Sequence, residues 1–212
     1  KSIQGRIFLT HYHWDHIQGI PFFSPLYNRR NQFLFHSYRF ADQSLQRALE
    51  GQMSDPYFPV DMGQMAARRH FFEIGEEQAS YDDLVLVSKW LNHPQGCLGF
   101  RIECNGKVVV YATDNEPGEP VGDRKVRELA ADADVLIYDA QFLPEEMRYM
   151  RNRGHSSWKE GVRIAKECKV KTLVLFHHDP DRSDREVRRM LKRACDHFDS
   201  VLAAREGLTL KL

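Results

Sequence analysis

The sequence predicts an α/β fold with mixed strands, and three observations carry that expectation. Apolar runs of strand length alternate with segments of helical period along all 212 residues. Hydrophobic residues make up 42% and charged residues 28%, enough to close a core and without the bias of a disordered chain. The length suits one domain, and no internal repeat, low-complexity tract or linker divides it, so residues 1–212 are expected to form one domain.

The elements follow in order. Arg6–Thr10 is a short apolar run, and the histidine-rich stretch His11–Gly19 comes directly after it. Gln32–Ser37 reads as a strand, Asp42–Met53 as a helix, and Asp55–Val60, with Pro56 and Pro59, as a loop. Leu84–Leu91 and Cys97–Cys104 read as strands, and Asn105-Gly106 is a two-residue hairpin signal into Lys107–Ala112. Pro117–Gly122 is a loop before a helix at Asp123–Ala131. Val135–Tyr138 is a buried strand, and Pro144–Arg151 a helix opened by proline. Ser157–Lys169 is helical, Thr172–His177 a strand, and Ser183–Phe198 an amphipathic helix started by Ser183. Val201–Ala204 and Leu208–Leu212 read as a last hairpin around Glu206-Gly207.

Composition removes several function classes. Thirty Lys+Arg balance thirty Asp+Glu, so there is no whole-domain basic footprint for non-specific nucleic-acid binding. No apolar run approaches the roughly 18–20 residues of a membrane span, and no membrane partner is expected. Cysteines 97, 104, 168 and 195 form no CxxC pair, which predicts reduced thiols and a cytoplasmic setting. The chain starts at Lys1 without a leader, as a fragment would.

The ten histidines are the unusual count. In His11-Tyr12-His13-Trp14-Asp15-His16, residues two apart at a strand end point the same way, so His11 and His13 can grip one metal. Asp15 and His16 come as the chain turns, within reach of a second metal. Imidazoles and a carboxylate suit zinc, manganese or iron. A chance H-x-H-x-D-H is expected in roughly two of a thousand such chains. Four more candidates sit at or near predicted strand ends: His93, Asp114, His155 in Gly154-His155-Ser156-Ser157, and the pair His177-His178. Alone, each reads as a solvated loop residue or cap. Together they supply a third histidine for each metal and a carboxylate to bridge them.

Here the chain resembles the metallo-β-lactamase superfamily, and most closely its phosphodiesterase branch, which includes tRNase Z and the cyclic phosphodiesterase of phosphonate breakdown. Leu98-Gly99-Phe100-Arg101-Ile102 and Tyr111-Ala112-Thr113-Asp114 agree with it. Val135–Phe142 is similar to the branch's His-Glu-Ala-Thr stretch, and Gly154–Ser157 to its Gly-His-Ser-Thr loop. The resemblance implies a four-layer αβ/βα sandwich. It also implies two divalent ions, zinc with manganese or iron as alternatives. His11, His13 and His93 would hold the first, Asp15, His16 and His177 the second, and Asp114 would bridge them. His177 is preferred to His178 because it lies 22 residues past His155, the branch's spacing.

Two departures bear on these expectations. The superfamily places several strands before the histidine motif, whereas only ten residues precede it here, so the fold should lack its first strands. Such a fold would expose a sheet edge, which predicts a homo-oligomer or a fused domain. Tyr138-Asp139 stands where the related stretch has His-Glu, which shortens the reach to His155 by one methylene.

The implied chemistry is a dinuclear metal-dependent hydrolase. A hydroxide bridging the two metals would attack a phosphodiester, Asp15 would serve as ligand and catalytic residue, and His155, its tautomer fixed by Asp139, would protonate the leaving alkoxide. Only a tight hairpin separates His93 from Asp114, with no room for a basic arm, so a small cyclic phosphodiester or nucleotide is favoured over nucleic acid. Alternatives are a lactone or ester hydrolase, a tRNA 3′-processing endonuclease, and a non-catalytic metal-binding sensor. Between the two halves of the motif lie Phe22, Phe23, Tyr27, Tyr57, Phe58, Phe71 and Phe72 with Arg29, Arg30, Arg68 and Arg69. They read as core packing and solvated charge, the other reading being a lid that stacks on a base. Trp14 reads as packing, the Arg182–Arg193 face as solvated, and His36, His70 and His197 as structural or surface residues.

Overall fold

The computed structural model describes residues 1–212 and sorts them into two compact units, Lys1–Gly75 and Glu76–Leu212. In the first unit the opening apolar run becomes β1, Gln4–Phe8. It pairs in parallel with β2, Gln32–Ser37, and β2 pairs in parallel with β3, Arg68–Glu73. Phe33 and Phe35 of β2 are buried with Leu26, Leu45, Leu49 and Met53, so the middle strand carries the core of this unit. The chain after β1 turns through a short helix α1, Trp14–Ile17. Helix α2, Leu45–Gly51, is shorter than the expected Asp42–Met53. Its start is fixed by the Ser44 side chain, which accepts from the Arg47 N–H.

The second unit is built on a seven-stranded sheet. Strands β4 (Glu77–Tyr81), β5 (Leu84–Leu91), β6 (Cys97–Cys104) and β7 (Lys107–Ala112) form an antiparallel meander. Asn105 and Gly106 both sit at positive φ, 50° and 72°, as a two-residue hairpin turn requires. From β7 the pairing becomes parallel through β8 (Val135–Asp139), β9 (Thr172–Phe176) and β10 (Val201–Ala203). Helix α3 (Pro120–Ala130) packs on β5 and β6, α4 (Trp158–Glu167) on β8 and β9, and α5 (Asp184–Cys195) on β10. Leu136, Tyr138, Leu173 and Leu175 from the sheet close a core with Val126, Leu129, Ile164 and Met190. The parallel register matches Ala112 to Tyr138 and Asp139 to Phe176, so three strands end level on one edge.

Several expected boundaries move. β3, with three charged residues, and β4, with no apolar run, do not read as strands in the sequence, yet both pair in full. Helix α3 starts at Pro120 instead of Asp123, because the Glu119 carboxylate accepts from the Val121 and Gly122 N–H groups. Pro at the first position forfeits no helical bond. Pro144–Arg151 is a run of turns, not a helix. The segment has no apolar stripe to bury, and Glu145 and Glu146 are drawn to Arg193 and Arg182. The last hairpin does not form: β10 pairs in parallel with β9, and Leu208–Leu212 makes no strand. Three residues of β10 offer too short a ladder to hold a returning strand. All four cysteines are free, and no helix is long and apolar enough to cross a membrane.

Candidate metal centre

In Lys1–Gly75 the histidine motif straddles the end of the extended chain and α1. Tyr12 turns away from its neighbours, donates its hydroxyl to the Tyr38 carbonyl and packs against the core. Burial, chiefly, pushes its phenol up to about 12. By the alternation of an extended chain, His11 and His13 then share the other side, with ring centroids 4.6 Å apart. Helix α1 returns His16 to them, its ring 4.2 Å from that of His11. Asp15 Oδ2 lies 3.2 Å from His16 Nε2. The Thr10 hydroxyl is 3.0 Å from His11 Nδ1, which leaves the buried Nε2 as the ligand nitrogen. This unit therefore gathers His11, His13, Asp15 and His16.

Glu76–Leu212 gathers His93, Asp114, Asp139, His155 and His177 at the level edge of its parallel strands. Asp114 follows β7 and His177 follows β9, both at left-handed φ, 59° and 54°. Such backbone is rare outside glycine and is held only where surrounding contacts fix it. Asp114 Oδ1 lies 3.3 Å from His177 Nε2 and 4.0 Å from His93 Nε2, with the carboxylate 1% exposed. The His93 Nδ1 is 2.8 Å from the Gly154 carbonyl, so it carries the hydrogen and Nε2 presents a lone pair.

Asp139 is the hub of this cluster. Its Oδ2 accepts from His155 Nδ1 at 2.9 Å and from the Asp114 N–H at 3.0 Å. Its Oδ1 accepts from the Ser156 and Gln141 N–H groups. Every lone-pair direction is used and the residue is fully buried. The His155 ring stacks on His177, centroids 5.0 Å apart, and meets His93 edge-on at 5.2 Å. Asp114, Asp139, His155 and His177 each offer a ligand atom within 4.8 Å of the others. His178 is partly buried behind His177, and burial, then Arg182 and His177, holds its pKa below the usual value.

The sequence reading missed Glu116, whose carboxylate accepts from the Asn152 and Gly154 N–H groups at 2.8 Å each. It thereby holds the loop that orients His93. Its two-residue offset from Asp114 was the available signal. The packing assigned to the middle aromatics fails most clearly for Phe22 and Tyr57, which are 75% and 79% exposed, with Phe23, Tyr27 and Phe72 also exposed, and Trp14, read as packing, is 71% exposed. His36, by contrast, is buried between Phe8 and Phe72 in stacked geometry. Desolvation, with Arg6 adding to it, lowers its pKa to about 4.

The family profile described as "Beta-lactamase superfamily domain" matches residues 4–178. A ribonuclease Z of Archaeoglobus fulgidus is 32% identical over 107 residues, covering 50% of this chain and 33% of that protein. The chain thus spans about a third of the length of that relative. A ribonuclease Z of Streptococcus suis is 25% identical, covering 93% of this chain and 78% of that one. Among solved structures, a diphosphatase from the PhnP family superposes with TM-score 0.70 at 21% identity, covering all of this chain and 72% of that chain.

Proposed function

The chain belongs to the beta-lactamase superfamily and has the metallo-β-lactamase fold, and from that premise we propose that it is a metal-dependent phosphodiester hydrolase. The observation that carries the reading is the buried Asp114 carboxylate facing two imidazole Nε2 atoms, beside a His155–Asp139 couple. A carboxylate 3.3 Å from His177 Nε2 and 4.0 Å from His93 Nε2, with the His93 ring oriented by the Gly154 carbonyl, is a donor set for a borderline divalent ion. The proposal allots one ion to His11, His13 and His93 and a second to Asp15, His16 and His177, with Asp114 shared. Such ions, zinc or manganese, would supply Lewis acidity for phosphoryl oxygens and a water of lowered pKa.

The chain's own residues supply the proton. His155 donates an Nδ1–H hydrogen bond to Asp139, which orients the ring and would stabilise its imidazolium, so that Nε2–H can protonate the leaving alkoxide. Asp139 also holds the Asp114 backbone, so one carboxylate positions both the proton donor and the shared ligand. The proposed substrate is a small phosphodiester, because the turn between β6 and β7 leaves no arm to embrace a larger one. A second reading, cleavage at an RNA 3′ end, is supported by relatives named ribonuclease Z.

The test is hydrolysis of bis(p-nitrophenyl) phosphate against p-nitrophenyl phosphate after loading with zinc or manganese. Diester turnover is expected. Asp114→Ala should lower both turnover and bound metal, whereas His155→Ala should lower turnover about 100-fold or more with metal retained. Equal metal loss in both variants would overturn this division of roles. Turnover of p-nitrophenyl acetate alone would replace the reading with an ester hydrolase.

A further inference from the structure

Glu76–Leu212 holds a cavity of about 820 Å³ whose charges the chemistry above does not use. Asn92, Glu116, Glu119, Arg148, Arg151 and Asn152 are among its walls. Chain connectivity places it beside the Asp114 cluster. Asn92 precedes His93, Glu116 lies two residues past Asp114, and Asn152 lies three before His155, with consecutive Cα atoms only about 3.8 Å apart. The wall is fixed: the Glu116 carboxylate grips the loop at Asn152 and Gly154, and Asn92 Nδ2 donates to the Glu116 carbonyl at 2.8 Å.

The formal charges of this cavity balance, two carboxylates against two guanidiniums, but their hydrogen-bonding states differ. Its two carboxylates are occupied by backbone N–H groups, Glu116 by those of the loop and Glu119 by those of Val121 and Gly122. Its two guanidiniums, Arg148 and Arg151, are exposed and stand in no ion pair. Arg148 Cζ is held 4.5 Å over the Tyr149 ring, which is itself 72% exposed. Nearby acids that could neutralise them are engaged elsewhere, Glu145 by Arg193 and Glu146 by Arg182. On α4 the pattern is the ordinary one, with Arg163 paired to Glu160 and Glu167. Here the carboxylates spend their lone pairs on backbone N–H groups, and the guanidiniums keep their donors out of any ion pair.

We infer that this cavity is a subsite for a second phosphate of the substrate, with Arg148 and Arg151 as its ligands. A guanidinium matches a phosphate with two parallel hydrogen bonds, and a positive pair beside a hydrolytic centre selects substrates that carry charge beyond the scissile group. The inference rests on the phosphodiester reading above. The second phosphate can be the terminal phosphate of a nucleotide-sized substrate or the next diester along an RNA strand.

The test compares KM values of metal-loaded protein for UpU, which has one phosphate, with those for pUpU, UpUp and a ten-residue oligouridylate. In Arg148→Ala/Arg151→Ala the KM ratio of multi-phosphate substrates to UpU should rise about tenfold. A rise for pUpU or UpUp identifies a terminal phosphate, and a rise for the oligomer alone identifies a strand. Arg185→Ala/Arg189→Ala, on the exposed face of α5, removes the same charge elsewhere and should leave the ratio as it is. An unchanged ratio in the first variant, or an equal rise in both, overturns the subsite. Calorimetric binding of the same compounds is independent of turnover. An affinity gain from the second phosphate that the first variant loses keeps the subsite even if nothing is hydrolysed, and absence of that gain overturns it.

Discussion

Gly154 shows how much one residue holds in place. Its φ of +81° lies in the left-handed region, and a Cβ there would collide with the His93 ring and Pro94. Its N–H is taken by Glu116 and its carbonyl faces His93 Nδ1. Gly154→Ala should therefore move a metal-facing imidazole as well as strain the backbone, lowering bound zinc and costing about 1–3 kcal/mol of stability. Gly118→Ala is the matched control: φ is +110°, but no atom lies within 4 Å of its Cβ position. It should cost stability alone. Zinc content and urea denaturation of both variants decide the matter, and equal zinc in the two would detach Gly154 from the site. His36 makes a second residue-scale prediction. Its pKa is about 4 in the fold against about 6.5 in an unfolded chain. The unfolded chain thus binds the extra proton between those values, so stability falls as pH drops from about 6.5 towards 4 and is unaffected by this group above that window. The loss should be on the order of 2 kcal/mol near pH 4. His36→Phe, which keeps the stacking on Phe8 and Phe72, should remove that part of the acid dependence; an unchanged pH profile of the denaturation midpoint would refute it.

At the scale of elements, capping decided boundaries that periodicity could not. Glu119 starts α3 by accepting from two N–H groups that the helix leaves open. Glu119→Ala should lower the urea midpoint, and no loss would mean that water serves those groups equally well. β8 and β9 were legible because burial on both faces demands continuous Val, Leu and Ile, and β5 to β7 because their apolar runs end at turn signals such as Asn105-Gly106. β3 was not, since Arg68, Arg69 and Glu73 stand at its ends and only Phe71 packs against the core. Pro144–Arg151 carried the opening signal of a helix without the apolar stripe that makes a helix worth folding. Those turns now present Arg148 and Arg151 to the cavity beside His155, a result that no helical reading could have reached.

At the scale of the whole molecule, the candidate ligands were legible because a turn at a strand end forces unlike residues to one edge. His11, His13, Asp15 and His16 are neighbours in sequence, and Asp114, Asp139 and His177 are brought level by the parallel register of β7, β8 and β9. Less legible was the support beneath them, such as Glu116, whose carboxylate acts on the site through a pair of backbone hydrogen bonds. That arrangement has a thermodynamic consequence. Asp114 and Asp139 are two buried carboxylates joined through one backbone N–H, among three imidazoles. Taking two carboxylates out of water carries a desolvation cost, and a divalent cation at Asp114 would offset it. A ligand that binds only the folded state adds about 2.7 kcal/mol at a hundred times its Kd. Chelator should therefore lower the thermal midpoint, and zinc or manganese should restore it. In Asp114→Ala the midpoint should respond far less to either metal, because the shared ligand is gone. A wild-type midpoint that ignores both chelator and metal would remove the metal from this account, and with it the reaction built upon Asp114.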